Sequence, residues 1–300
     1  MNMQEQTLTE RWQAALKARF GTERNHDWAL SPQIYADHAV RHGWRVSENV
    51  LTGRAHLQNP KGKRVVWGSV TECLAAMDKQ AGHLPPLPSR MVIYLHGLGL
   101  MRFNDRFSGL IDALAENDIA CSVVRYPSIL GSLSDHSLRL AQLITRMGDV
   151  KEIGLVGHSM GGLLIRKLLD EPLFIEKGPK LKCVVMLGTP NQGAKLADRV
   201  TRLKTLEKML GRGVEAVRPD HARELPIPKV PTLIIAGSTG KKAGYNPLLG
   251  ADNDWMVRVD ETRLEGAEGP ILVRNDHFTL TENPEAIQLT ASFVAKHLSG

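Results

Sequence analysis

The stretch LVGHSMGG, residues 155–162, places one serine between glycines where an apolar run gives way to a helical pattern. In EIGLVGHSMGGLLIRKLL the strand-like run is followed at once by a helix, so Ser159 would sit on a sharp strand-to-helix turn that lifts its Oγ above the sheet edge. Gly157 and Gly161, two positions to either side, relieve the crowding such a turn creates. The helix beginning at Met160 also aims its free backbone N–H groups at anything bound there. This is the setting of a nucleophile. A G-x-S-x-G pentapeptide alone also marks plain surface turns, and it is the strand before it and the helix after it that favour chemistry. A serine hydroxyl is a poor nucleophile until a histidine takes its proton, and that histidine must be oriented, commonly by a carboxylate.

Those partners need a scaffold, and the pattern of the chain from residue 90 onward supplies one. Six apolar runs, MVIYLHG (91–97), IACSVVRY (119–126), EIGLVGHS (152–159), LKCVVMLG (181–188), PTLIIAGS (231–238) and PILVRN (270–275), alternate with helical patterns or long loops. Near-continuous apolar strands of this kind belong to a parallel sheet covered on both faces, and the fold class is α/β. Helices are expected over Phe107–Leu114, Leu133–Met147, Met160–Leu169 and Pro284–Leu298, the last with proline in its first turn.

The first 85 residues differ. An amphipathic helix carrying Leu8, Trp12, Ala15 and Leu16 precedes WRVSENVL, RAHLQ and KRVVW, whose separating turn signals, Gly53 and Asn59-Pro60-Lys61-Gly62, predict antiparallel hairpins. A helix over Val70–Ala81 and the proline-rich LPPLPS follow. The expected division is an N-terminal extension, residues 1–88, packed on a main domain, residues 89–300. Its tryptophans, Trp12, Trp28, Trp44 and Trp67, require a surface on which to be buried.

YLHGLG (94–99) after the first strand of the main domain, GHSMGG at the turn, LGTPNQGA (187–194) after the next strand and NDHFTL (275–280) before the last helix together resemble the α/β-hydrolase superfamily, esterase and lipase type, over about residues 90–298. The resemblance implies a chain order of serine, then acid, then histidine. Of the eleven histidines only His221, His277 and His297 follow Ser159. His297 falls inside the final helix and His221 in the charged segment RPDHARE, whereas His277 follows the last strand in a loop, where the resemblance places the base. The acid should follow PTLIIAGS, where Asp252, Asp254 and Asp260 are available. Asp254-Trp255-Met256-Val257 fits the Asp-Gly-x-Val frame with tryptophan in place of glycine. Asp254 is the implied acid, and Asp252 stays open because tryptophan is not expected to adopt the backbone angles open to glycine. Asp276 reads as a loop-bonding residue. The implied oxyanion donors are the backbone N–H groups of Met160 and Leu98, with His96 bracing the loop. The segment 194–225, with Leu196, Val200, Leu203, Leu206 and Leu210 at helical spacing, is either core packing or a small cap over the site.

Other chemistries fit less well. Gly97-x-Gly99 lacks the third glycine of a dinucleotide loop, because Arg102 stands there, and AGSTGKK has the wrong spacing for a phosphate loop. His38 and His42 have i, i+4 spacing without a third metal ligand, which reads as a helix surface. Cys73, Cys121 and Cys183 form no CxxC and read as buried thiols. A net charge of +6 spread along the chain, without a basic block, argues against nucleic acid and leaves contact with an acidic membrane surface open. No signal-like or membrane-spanning stretch is evident, so a cytoplasmic location is expected. The expectation is therefore a serine hydrolase of carboxylesterase or lipase type, acting on a small-molecule or lipid ester without cofactor or metal. A thioesterase or acyltransferase using the same acyl-enzyme, and a binding or scaffold protein on the same fold, are the alternatives.

Overall fold

A computed structural model describes residues 33–99, 107–197 and 213–298. The sequence readings at residues 8–16 and 198–210, with Trp12 and Trp28, lie outside them. A four-stranded antiparallel sheet comes first, formed in order by β1 (Tyr35–Arg41), β2 (Trp44–Asn49), β3 (Ala55–Gln58) and β4 (Arg64–Gly68), and α1 (Val70–Ala81) packs on it. Ser69 and Glu72 start α1 with a reciprocal cap: the serine Oγ accepts from Glu72 N–H and the glutamate carboxylate accepts from Ser69 N–H. Val46, Leu57, Cys73 and Met77 form a small core of their own between sheet and helix.

β1 is absent from the sequence reading. Its pairing with β2 is interrupted by a register shift between Asp37 and Ala39, so the residues of YADHAVR do not alternate cleanly between buried and exposed. The helix-surface reading of His38 and His42 is corrected accordingly. His38 lies on this strand, 2.8 Å from a Glu48 carboxylate oxygen, and His42 forms the turn into β2 with φ +48°.

The main sheet contains β5 (Arg90–Leu95), β6 (Ala120–Val124), β7 (Glu152–His158), β8 (Lys180–Leu187), β9 (Thr232–Gly237) and β10 (Glu268–Val273), all parallel, in the order β10-β9-β8-β7-β5-β6. Period-two alternation gives it two apolar faces. Ile93, Leu95, Ile153, Leu155 and Val184 meet Leu140 and Ile144 of α3 (Leu133–Thr145) and Leu164 and Leu168 of α4 (Met160–Leu168). Val92, Tyr94, Val156 and Ile235 meet Leu110 and Leu114 of α2 (Ser108–Ala115) and Val294 of the C-terminal helix Pro284–Leu298. Short helices, among them α5 (Pro172–Lys177) and α6 (Pro219–Glu224), precede that helix, here α7. Among the described residues no helix is long and apolar enough to cross a membrane.

The two sheets are joined through Asp37, which is 3% exposed. Its backbone N–H donates to Arg125 O at 3.1 Å, just past the end of β6. Its carboxylate accepts from Arg125 N–H at 2.7 Å, from Ser47 Oγ and from the Arg45 guanidinium, which also donates to Val123 O. A carboxylate so well supplied with donors tolerates burial between two sheets. Trp67 remains 44% exposed and Trp44 is half-buried, so these two tryptophans are only partly covered.

Candidate active site

β7 and α4 meet with no connecting residues except Ser159, whose backbone is forced to φ 53° and ψ −123°. A serine in that region stores about 1–3 kcal/mol of strain, which the surrounding packing must offset. The tightness of the turn is measured by the flanking glycines: a Cβ on Gly157 would lie 2.5 Å from Gly162 N, and one on Gly161 would lie 2.3 Å from Leu95 O. Ser159 N–H donates to Leu187 O at 2.8 Å, which fixes the turn to the neighbouring strand.

Ser159 Oγ lies 2.9 Å from His277 Nε2, and His277 Nδ1 lies 2.6 Å from an Asp254 carboxylate oxygen. The other Asp254 oxygen accepts from Met256 N–H at 3.0 Å and Val257 N–H at 2.7 Å, while Asp254 O accepts from His277 N–H at 2.7 Å. Asp254 is 1% exposed and His277 6% exposed. The carboxylate thus holds an ion-stabilising position with both oxygens satisfied, and the imidazole presents Nε2 to the hydroxyl.

The other sequence candidates lie elsewhere. Asp252 accepts from Ser238 Oγ, Thr239 N–H, Thr239 Oγ and Gly240 N–H and so organises the turn after β9. Asp260 pairs with Arg258. His221 is exposed on α6, and His297 packs against Phe293 on α7. Asp276 accepts from Phe278 N–H and Thr279 N–H, closing the loop around His277. Trp255 corrects the backbone argument made from sequence: it adopts φ +95°, because Asn253 Oδ1 accepts from Trp255 N–H and Asn246 Nδ2 donates to Trp255 O, so side-chain amides pin both sides of the residue.

Leu98 lines the same cavity as Ser159, and the loop it belongs to comes close because Gly97 has no side chain: a Cβ there would be 2.9 Å from Ser159 Cβ. Met160 occupies the first position of α4, where a backbone N–H has no acceptor within the helix. His96 stacks on Tyr126 with ring centroids 4.2 Å apart. Its Nε2 accepts from Tyr126 N–H, so Nδ1–H donates to Gly97 O at 2.7 Å, and burial pushes its pKa down to about 4.

In front of Ser159 lies a cavity of about 220 Å³, walled chiefly by Leu98, Phe107, Ala194, Leu196, Val217 and Met256. Three of these come from the segment 194–225. Its ends are held by Arg166, 1% exposed, which donates to Asn191 O, Leu225 O and Pro226 O, and by Glu261, whose carboxylate accepts from Lys195 N–H. Sequence reading missed these two anchors, and it missed His158, whose Nε2 bonds to His277 O at 3.0 Å. The signal for His158 lay inside GHSMGG itself. Among the described residues no group of three histidine, cysteine or acidic side chains is placed to hold a metal.

No family model and no curated protein matches the chain in sequence. Solved structures do match it in shape. The mature form of a Bacillus licheniformis lipase superposes with a TM-score of 0.53 at 20% identity, covering 71% of this chain and 94% of that one. A metagenomic carboxyl esterase gives 0.53 at 14% identity, with coverage of 97% and 91%, and an esterase from Pyrococcus furiosus gives 0.50 at 16%, with coverage of 93% and 97%. The fold is that of the α/β-hydrolases.

Proposed function

We propose that the protein is a serine hydrolase of carboxylic esters. The hydrogen-bonded line from Asp254 through His277 to Ser159, opening onto an apolar cavity, carries this reading. Ser159 Oγ attacks the ester carbonyl carbon as its proton passes to His277 Nε2, and the carbonyl electron pair becomes an oxyanion facing Leu98 N–H and Met160 N–H. Collapse expels the alcohol, which takes the proton back from His277, and leaves an acyl-serine. Water then adds with His277 as base, and the acid departs. Asp254 keeps the proton on Nδ1 and stabilises the imidazolium that forms at each transfer.

The cavity walls favour an apolar acyl or alcohol group, and segment 194–225 acts as a small cap by supplying Ala194, Leu196 and Val217 to them. The lipase and esterase activities of the structural neighbours agree with this chemistry. Residues 1–88 act as an extension that supports the hydrolase domain at 89–300.

The test is labelling by a fluorophosphonate together with hydrolysis of p-nitrophenyl esters from acetate to palmitate. Labelling lost in Ser159→Ala, with at most a residual rate on the order of 10³-fold over water, is the expected result. Near-wild-type turnover by purified Ser159→Ala would overturn the assignment. Absence of labelling in the wild-type protein would point to a binding protein on this fold.

A further inference from the structure

The loop carrying Leu98 is held by a residue 66 positions before Gly99 in the chain. Gln33, two residues before β1, is 1% exposed. Its Nε2 donates to Gly99 O, and its Oε1 accepts from Ser128 Oγ at 2.9 Å and from Ile129 N–H at 3.2 Å. Ser128 Oγ in turn accepts from Gly99 N–H at 3.2 Å, and Ser128 is fully buried. Gly99, Ser128 and Gln33 therefore close a ring of hydrogen bonds in which both backbone polar groups of Gly99 are engaged.

We propose that Gln33 is a positioning residue for oxyanion binding: by fixing Gly99 it holds the preceding residue, Leu98, with its N–H at the place where charge develops. The inference rests on the proposed roles of Ser159 and Leu98. An oxyanion donor must stand within about 2.7–3.1 Å of the oxyanion, so a loop that drifts by a few tenths of an ångström loses much of its effect. The segment Gly97-Leu98-Gly99 has little stiffness of its own, because a residue between two glycines is flanked by the most permissive backbone units. Its rigidity has to come from outside. One buried amide supplies it at Gly99, with a donor for the loop carbonyl and an acceptor for Ser128 Oγ, which holds the loop's N–H, and for the neighbouring Ile129 N–H. Gln33 thus acts on the reaction centre through Gly99.

Two substitutions separate the halves of this arrangement in the full-length protein. Gln33→Leu removes both, whereas Gln33→Glu keeps the acceptor for Ser128 and Ile129 and, when ionised, loses the donor to Gly99 O. The readouts are kcat and KM on a p-nitrophenyl ester and the affinity for an alkyl trifluoromethyl ketone. Ser159 Oγ adds to the ketone carbon, its proton passes to His277, and the resulting oxyanion occupies the same donors as the reaction. Gln33→Leu should lower kcat by about 10- to 100-fold and weaken the ketone by a similar factor, with KM changed much less. In Gln33→Glu the rate relative to wild type at the same pH should rise on acidification, as the protonated carboxyl regains a donor for Gly99 O. A general loss of stability would produce neither the matched loss of ketone affinity nor the acid rescue.

If Gln33→Leu does not fold, Gln33→Glu and Ser128→Ala carry the same test. Wild-type kcat and ketone affinity in the folded variants would overturn the inference alone, provided Ser159→Ala is inactive. An active Ser159→Ala would overturn the site assignment and the inference with it.

Discussion

His158 and His277 are hydrogen-bonded through the ring of one and the backbone of the other: His158 Nε2–H donates to His277 O at 3.0 Å. The residue before the serine therefore holds the main chain of the very histidine whose ring the serine meets. His158→Leu deletes this donor and leaves a buried carbonyl without its partner. It should lower kcat about 10-fold or more by loosening the His277 loop, with a smaller change in KM. Steady-state kinetics on a p-nitrophenyl ester check this, and an unchanged kcat would show that the bonds of Asp276 and the His277 N–H bond to Asp254 O fix the loop without His158.

Asp254 and Asp252 stand two residues apart with separate duties, one on the imidazole and one on the turn after β9. Asp254→Asn should cost about 10⁴ in kcat, because an amide favours the wrong tautomer of His277. Asp252→Asn should cost far less in rate and show itself in thermal stability. Equal losses of kcat in the two variants would contradict the division.

Acid should destabilise the fold through three buried imidazoles. Burial pushes His56 down to about 3 and both His96 and His136 down to about 4, while in the unfolded chain each takes a proton near pH 6.5. Their contribution is present in full above pH 6.5 and is lost as pH falls from there toward 4 and below. Each adds a slope approaching about 1.4 kcal/mol per pH unit over that window. Neither ring nitrogen of His136 has a hydrogen-bond partner among the described residues, so His136→Leu should remove about one of the three slopes without orphaning a bond. Urea unfolding from pH 7.5 to 4.5 measures it, and parallel curves for variant and wild type would exclude the contribution of His136.

Trp255 combines φ +95° with a side chain 48% exposed. Replacing it by glycine relieves a positive-φ strain of about 1–2 kcal/mol and adds back a similar or smaller cost in unfolded-chain entropy. Trp255→Gly should therefore keep kcat and unfold within a few degrees of wild type, unlike the loss of about 3–5 kcal/mol that follows truncation of a buried tryptophan. A fall in Tm of more than about 5 °C would mean that the indole carries packing the fold needs.

The six parallel strands were legible because β-branched and apolar residues run through them without a polar face, a pattern that few other structures need. The meeting of Ser159, His277 and Asp254 was legible because a sharp strand-to-helix turn leaves glycines beside it, and resemblance then ordered the other two residues. β1 was hidden by the irregularity at Asp37, which breaks alternation. Gln33 was invisible for a different reason: a lone glutamine has no period, and only the fold brings it to Gly99 and Ser128. At Trp255 a sound steric rule was overridden by two asparagines whose amides hold the strained peptide from either side.

Strand β6 forms one border of the main sheet, and side chains meet its outer backbone: Arg45 takes Val123 O, and the carboxylate of Asp37 takes Arg125 N–H while the Asp37 main chain takes Arg125 O. Such a border, if left open, is a template on which a strand from another copy can pair. The Asp37–Arg45 pair thus acts as a stopper, and its removal would leave that border open to edge-to-edge pairing before the secondary structure is lost.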